Sequence, residues 1–409
     1  MGDGRQKEGR SGVGGAGHGA MFDAMISADS HVIEPPDLWT QRLPADLRDR
    51  GPMLRRGPAT PGRRSRGTEV DHWVVDGTNT GYSFGYADKA GLRFEEDPQL
   101  VPLEGTMDAG EGGFLTPELF VKECETDHVI GSLLYPTFAH RTFAVTEDRR
   151  LLEAIVRAYN DYVAEFCSYA PDRLKAPALI SVDDPAEAVR EMTRAREIGL
   201  SGAMMPVAPR DGRPYSLPDY EPMWACAADL GLPITFHVGT HLHPLRGGHV
   251  AATSYGSQQS TMLLSDSYIK MAIGDLIFSG VFERHPSLAV VAAEFQLGWI
   301  AYYLHKMDYS YTQVPPRDGW HRFADGVVPS DFWYQNCFAT FQEDPTVSRS
   351  GQWSTIDVGR IMWGSDYPHF ESTYPRSRET VAEVLAGLPP SSQRRIVFDN
   401  VAKLYDFAL

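Results

Sequence analysis

The chain has 409 residues, 42% hydrophobic and 22% charged, which supplies a sizeable core and excludes global disorder. Its 38 basic and 54 acidic residues leave a formal charge of −16, so nucleic acid and anionic membrane surfaces are excluded as default partners. No run approaches the roughly 20 apolar residues of a membrane helix. Cys124, Cys167, Cys226 and Cys337 are far apart and form no CxxC, which fits a reduced cytoplasmic chain.

The first 22 residues are Gly-rich and polar and lack the apolar run of a secretory signal, so they read as a disordered leader before a single domain at 23–409. Eight short apolar runs then read as strands: Met25–Asp29, Val129–Tyr135, Lys175–Ile180, Gly202–Met205, Ile234–Val238, Ala289–Glu294, Cys337–Thr340 and Arg360–Gly364. Amphipathic segments separate them. Leu151–Pro171 repeats apolar residues at helical spacing, and Asp184-Pro185 opens another helix. This alternation predicts an α/β fold, a (β/α)8 TIM barrel in preference to an open doubly wound sheet.

Two connections are too long for turns. One runs from about 32 to 127, the other from 239 to about 264, and both follow strands, where they help build the barrel mouth. The Pro/Gly/Arg-rich stretch GPMLRRGPATPGRRSRG in the first reads as mobile. Its Arg55, Arg56, Arg63, Arg64 and Arg66 are either a solvated loop or a clamp for the phosphates of a carrier such as coenzyme A.

Charged residues stand at the ends of these apolar strands. Asp29 and His31 end the first and, two apart, share a face; His237 ends the fifth, Glu294 the sixth and Asp366 the eighth. A buried unpaired carboxylate costs several kcal/mol. A cation shared at the mouth explains all of them together, whereas each alone reads as a core histidine or a helix cap. Glu34, His369 and His241 are further candidates for ligand or acid/base roles, and Gln342, Glu343 and Asp344 follow the seventh strand. Asp127-His128 precedes the second strand, at the opposite end, and reads as structural.

The segments DSHVIEPPDLW, RAYNDYVAEFC, FHVGTH, VFERHPSLAVVAAEFQLGWI and MWGSDYPHFESTYP, in this order, resemble the amidohydrolase-2 branch of the amidohydrolase superfamily. The resemblance implies a distorted barrel, metal on the strand ends and a homodimer. It places the family's H-x-H on Asp29 and His31, its strand-five histidine on His237 and its strand-eight aspartate on Asp366. Two positions depart from the decarboxylase pattern: the first histidine is Asp29, and the strand-six histidine is Glu294.

Such a carboxylate-rich set suits paired iron or manganese. With D-S-H-x-x-E-P it is similar to the barrel-fold nonheme diiron monooxygenases. That resemblance implies two nonheme Fe ions, O2 as oxidant, a bulky apolar, diterpenoid-type, CoA-linked substrate, and a separate electron donor or reductase. The alternative expectation is a mononuclear Zn- or Mn-dependent decarboxylase or hydrolase, with Glu294 or His369 as general acid/base.

Overall fold

Strands apolar on both faces are buried where helices cover one face of a parallel sheet and a packed barrel interior the other. The computed structural model describes residues 22–61, 65, 67–83, 90–92, 104–107, 116–210, 212–242 and 265–409. Its strands are β1 (Met25–Val32), β2 (Met53–Pro58), β3 (Glu69–Val75), β4 (Thr78–Ser83), β5 (Val129–Pro136), β6 (Leu174–Lys175), β7 (Pro177–Leu179), β8 (Gly202–Met205), β9 (Ile234–His237), β10 (Val290–Ala293), β11 (Cys337–Phe341) and β12 (Ile361–Trp363).

β1 pairs with β5 and β5 with β6, all parallel. β7 to β12 form a second parallel ladder in sequence order. β6 and β7 flank Ala176 on one strand path, so the two ladders share their third strand. The remaining seam lies between β1 and the segment after β12. There His31 N–H donates to the Tyr367 carbonyl at 2.7 Å and Asp366 N–H to the Asp29 carbonyl at 2.8 Å. Gly364 makes this approach possible, since a Cβ at that position would lie 2.4 Å from the Asp29 Cβ. The fold is the distorted (β/α)8 barrel that the strand pattern predicts, and its eight strands fall on the eight apolar runs.

The helices follow their signals. Asp148 caps Arg149–Cys167, and Asp184 caps Pro185–Glu197 with proline at its first turn. Among the described residues no helix is long and apolar enough to cross a membrane.

The first insertion corrects one expectation. The stretch read as mobile contains β2, which pairs antiparallel with β3, and β3 pairs with β4. β3 supplies the reason: Trp73 and Val75 are buried in the same core as the barrel and dock the small sheet on it. Trp73 stacks on Phe138 with ring centroids 4.4 Å apart and planes 9° from parallel. Arg56 is spent on both Asp71 oxygens at 2.9 Å. Arg63, Arg64 and Arg66, most of the predicted phosphate clamp, lie outside the described residues, as do the leader at 1–21 and the second insertion at 243–264.

Candidate metal centre

β1 carries Asp29 and His31 to the mouth, both buried. β9 ends on His237 and β10 runs into Glu294. The turn after β12 carries Asp366 and, three residues on, His369. Glu294 and Asp366 sit at φ of +65° and +59°, left-handed conformations costly for residues with a side chain. Such strain persists where surrounding contacts over-determine it, and functional sites are where it gathers.

Among the described residues three overlapping groups result: Asp29–His31–His237, His31–Asp366–His369 and Glu294–Asp366–Glu371. In each, one ligand atom per residue lies within 4.8 Å of the others. Only the first is entirely buried. Glu371, exposed, is the member that sequence reasoning missed. Its signal was its position two residues after His369.

The hydrogen bonds decide which ring nitrogens face inward. A carbonyl only accepts, so the 3.1 Å contact from His31 Nδ1 to the Pro136 oxygen places a proton on Nδ1. The same holds for His237 Nδ1 against the Val238 oxygen at 3.1 Å. Both Nε2 atoms then point to the carboxylates. His31 Nε2 is 3.1 Å from Asp366 Oδ1 and 3.4 Å from Asp29 Oδ1; His237 Nε2 is 3.4 Å from Asp29 Oδ1. Despite those distances His31 Nε2 is buried without an angularly acceptable hydrogen bond. His237 Nε2 bonds Asp29 Oδ1, but His31 Nε2 stands among carboxylate oxygens with no bond of its own, as a ligand beside a cation does.

Charge tells the same story. Burial alone would lift the Asp29 carboxyl, but His237 and His31 outweigh it and hold it below its usual range. Burial likewise works against the ionised Asp366, and His369 and His31 bring it well down. Burial would depress His31, yet Asp29 and Asp366 raise it well above an ordinary histidine. In the protein alone a proton on His31 therefore sits where two carboxylates call for positive charge, and a divalent cation can take its place. The site fits such an ion by donor set and by charge.

Glu294 differs from the two aspartates. Burial, then Asp366 and Asp29, push its carboxyl well above the usual value. Its Oε2 lies 3.5 Å from His237 Nδ1, and its backbone N–H donates to Thr340 Oγ1 at 2.8 Å. His369 is held from both sides, Nδ1 to Asp366 Oδ1 at 3.1 Å and Nε2 to Thr137 Oγ1 at 3.0 Å. Gln342, after β11, is buried. Gln296 donates to its side-chain oxygen at 3.0 Å and accepts from its backbone N–H at 3.2 Å, which leaves Gln342 Nε2 without a partner. Two sequence candidates stand outside the groups. His241 stacks on Tyr268 with centroids 4.4 Å apart. Glu34 turns both oxygens onto backbone amides of Phe138 and Ala139.

The chain belongs to the amidohydrolase family, whose model matches residues 86–407. It is similar to the gamma-resorcylate decarboxylase of Rhizobium sp. (strain MTP-10005), 25% identical over 264 residues covering 59% of this chain and 73% of that protein. The protein of the same name from Rhodococcus jostii (strain RHA1) is 27% identical over 267 residues, covering 59% and 74%. Among solved structures, an amidohydrolase from Mycobacterium avium subsp. paratuberculosis K-10 superposes with TM-score 0.73 at 22% identity, covering 93% of this chain and 99% of that one. A dihydroxybenzoic acid decarboxylase from Polaromonas sp. JS666, solved with bound manganese and the inhibitor 2-nitroresorcinol, gives 0.62 at 16% identity, covering 94% and 98%. The structural likenesses establish the fold, and the chain is an enzyme of the amidohydrolase superfamily.

These relatives overturn the expectation of a diiron monooxygenase. The similar sequences are those of decarboxylases, and the metal in the Polaromonas structure is manganese, not iron. The paired nonheme irons, the O2 chemistry, the CoA-linked substrate and the reductase go with it. The diiron reading leaned on a count of carboxylates at the mouth, and Glu34, one of those counted, spends its oxygens on backbone amides.

Proposed function

We propose that this enzyme is a mononuclear, divalent-metal-dependent decarboxylase of a small hydroxylated aromatic acid. Asp29, His31, His237 and Asp366 would hold one Mn2+ or Zn2+. The observation that carries the reading is two ligand groups that meet at His31, whose buried Nε2 lies 3.4 Å from Asp29 Oδ1 and 3.1 Å from Asp366 Oδ1 and is bonded to neither. The decarboxylase relatives support the reaction class. A bound cation would polarise a substrate oxygen and offset charge that develops on it.

The protein's own groups supply the rest. Loss of CO2 leaves the carbon–carboxyl electron pair on the ring carbon, which must then take up one proton. Glu294, whose burial favours the protonated carboxyl, is the donor, and water returns the proton to it after release. Gln342 Nε2 offers a fixed amide hydrogen to a substrate oxygen.

The test is CO2 release from hydroxybenzoic acids by protein stripped with chelator and reloaded with Mn2+. Metal-dependent release without consumption of O2 is the expected result. Release that ignores the metal, or none from any acid in the series, overturns the reading.

A further inference from the structure

Glu34 is 1% exposed and lies three residues beyond His31, where a metal ligand would be sought first. Its oxygens are already engaged. Phe138 N–H donates to both at 3.1 and 3.0 Å, and Ala139 N–H to Oε1 at 2.7 Å. Burial pushes the carboxyl up to about 7, so it is kept at a cost that a helix-capping serine or threonine would avoid.

The gripped segment explains what the cost maintains. Pro136, Thr137, Phe138 and Ala139 are consecutive. The Pro136 carbonyl receives His31 Nδ1 at 3.1 Å, and the Thr137 hydroxyl meets His369 Nε2 at 3.0 Å. Thr137 N–H donates to the Val32 carbonyl at 3.2 Å. The segment therefore crosses from the end of β5 to the end of β1 and touches the outward nitrogens of two histidines. Partners of this kind fix ring orientation and tautomer, and their loss typically costs about 10–100-fold in metal affinity.

We propose that Glu34 is a positioning residue: by clamping Phe138 and Ala139 it sets the Pro136–Thr137 segment that aims His31 and His369 at the metal site. This rests on the metal-site assignment made above and not on the identity of the reaction. Glu34→Gln is the decisive variant. Its oxygen, set at the Oε1 position, still reaches both amides, but its NH2 replaces Oε2 against the Phe138 N–H and the negative charge is lost.

The experiment measures Mn2+ affinity of chelator-stripped protein by the EPR signal of free Mn2+, the d–d spectrum of the Co2+-loaded protein, and thermal stability. The expected result is affinity at least tenfold weaker and an altered Co2+ spectrum, with partial recovery in Glu34→Asp, which keeps the charge. Unchanged affinity and spectrum beside a lowered melting temperature would make Glu34 structural only and overturn the proposal. If Glu34→Gln does not fold, the same readouts on Glu34→Asp decide, with wild-type values again overturning it. Wild-type protein that binds no Mn2+ defeats the metal assignment and this proposal together. Mn2+ binding without CO2 release defeats only the proposed reaction.

Discussion

Asp366 at the mouth of the barrel and Asp127 at its base are both buried, 1% and 2% exposed, yet their acidities move in opposite directions. Burial raises Asp127 to about 6, and the neutral N–H and hydroxyl of Ser377, which pull it down, offset only part of that. Burial acts on Asp366 as well, but His369 and His31 reverse it. A carboxylate taken out of water keeps its charge where positive charge or enough hydrogen-bond donors face it, and at the mouth positive charge does. The mouth is arranged to hold ionised aspartates, and the base is not. Glu294 is the instructive exception: at the mouth, but next to Asp366 and Asp29, it behaves as the base does.

The largest effect is expected from removing the mouth's proposed metal ligands. His237→Ala and Asp366→Ala should each weaken metal binding by more than the roughly 100-fold upper end for outer partners. Turnover should be lost while the circular dichroism spectrum is kept, and full metal content in either variant would break the distinction between mouth and base. Glu294→Gln tests the exception. It should keep its metal and lose about 10²–10⁴-fold in kcat, the usual range for an acid/base group; a loss of metal instead would make Glu294 a ligand.

A smaller effect concerns the seam. Gly364→Ala forces a Cβ against Asp29 and should cost about 1–3 kcal/mol, read from the urea midpoint. An unchanged midpoint would show that β1 and the turn after β12 are free to separate.

The smallest effect sits at the base. The folded protein holds the Asp127 proton up to about pH 6, whereas the unfolded chain releases it near 3.8. The folded state therefore binds more protons across that window, and stability falls as pH rises through it. Asp127→Asn should flatten the slope between pH 4 and 6, a change of about 2 kcal/mol across the window. A wild-type slope in this variant would assign the effect elsewhere.

Much of this arrangement could be read from the chain because barrel strands are buried on both faces. Glu294 just after Val290–Ala293 and His237 at the end of Ile234–His237 contrast with the apolar residues before them. In the first insertion charge is ordinary, so Arg55-Arg56 masked a strand whose register depends on the distant β3. Glu34 was visible as a residue but not as a clamp, since its partners lie 104 and 105 positions away and are backbone atoms that carry no residue signature. The close approach at Gly364 was hidden for the same reason, being set by a strand at the far end of the chain.

Phe138 has two neighbours of different kinds: its amide is held by Glu34, and its ring lies flat on Trp73. The appended sheet and the histidine environment thus share one residue. If the proposed clamp holds, grafting this insertion onto another barrel, or exchanging it for a relative's to alter substrate choice, retunes metal retention in the same stroke. Chimeras that keep Phe138 and Trp73 together offer the cleaner route to new specificity.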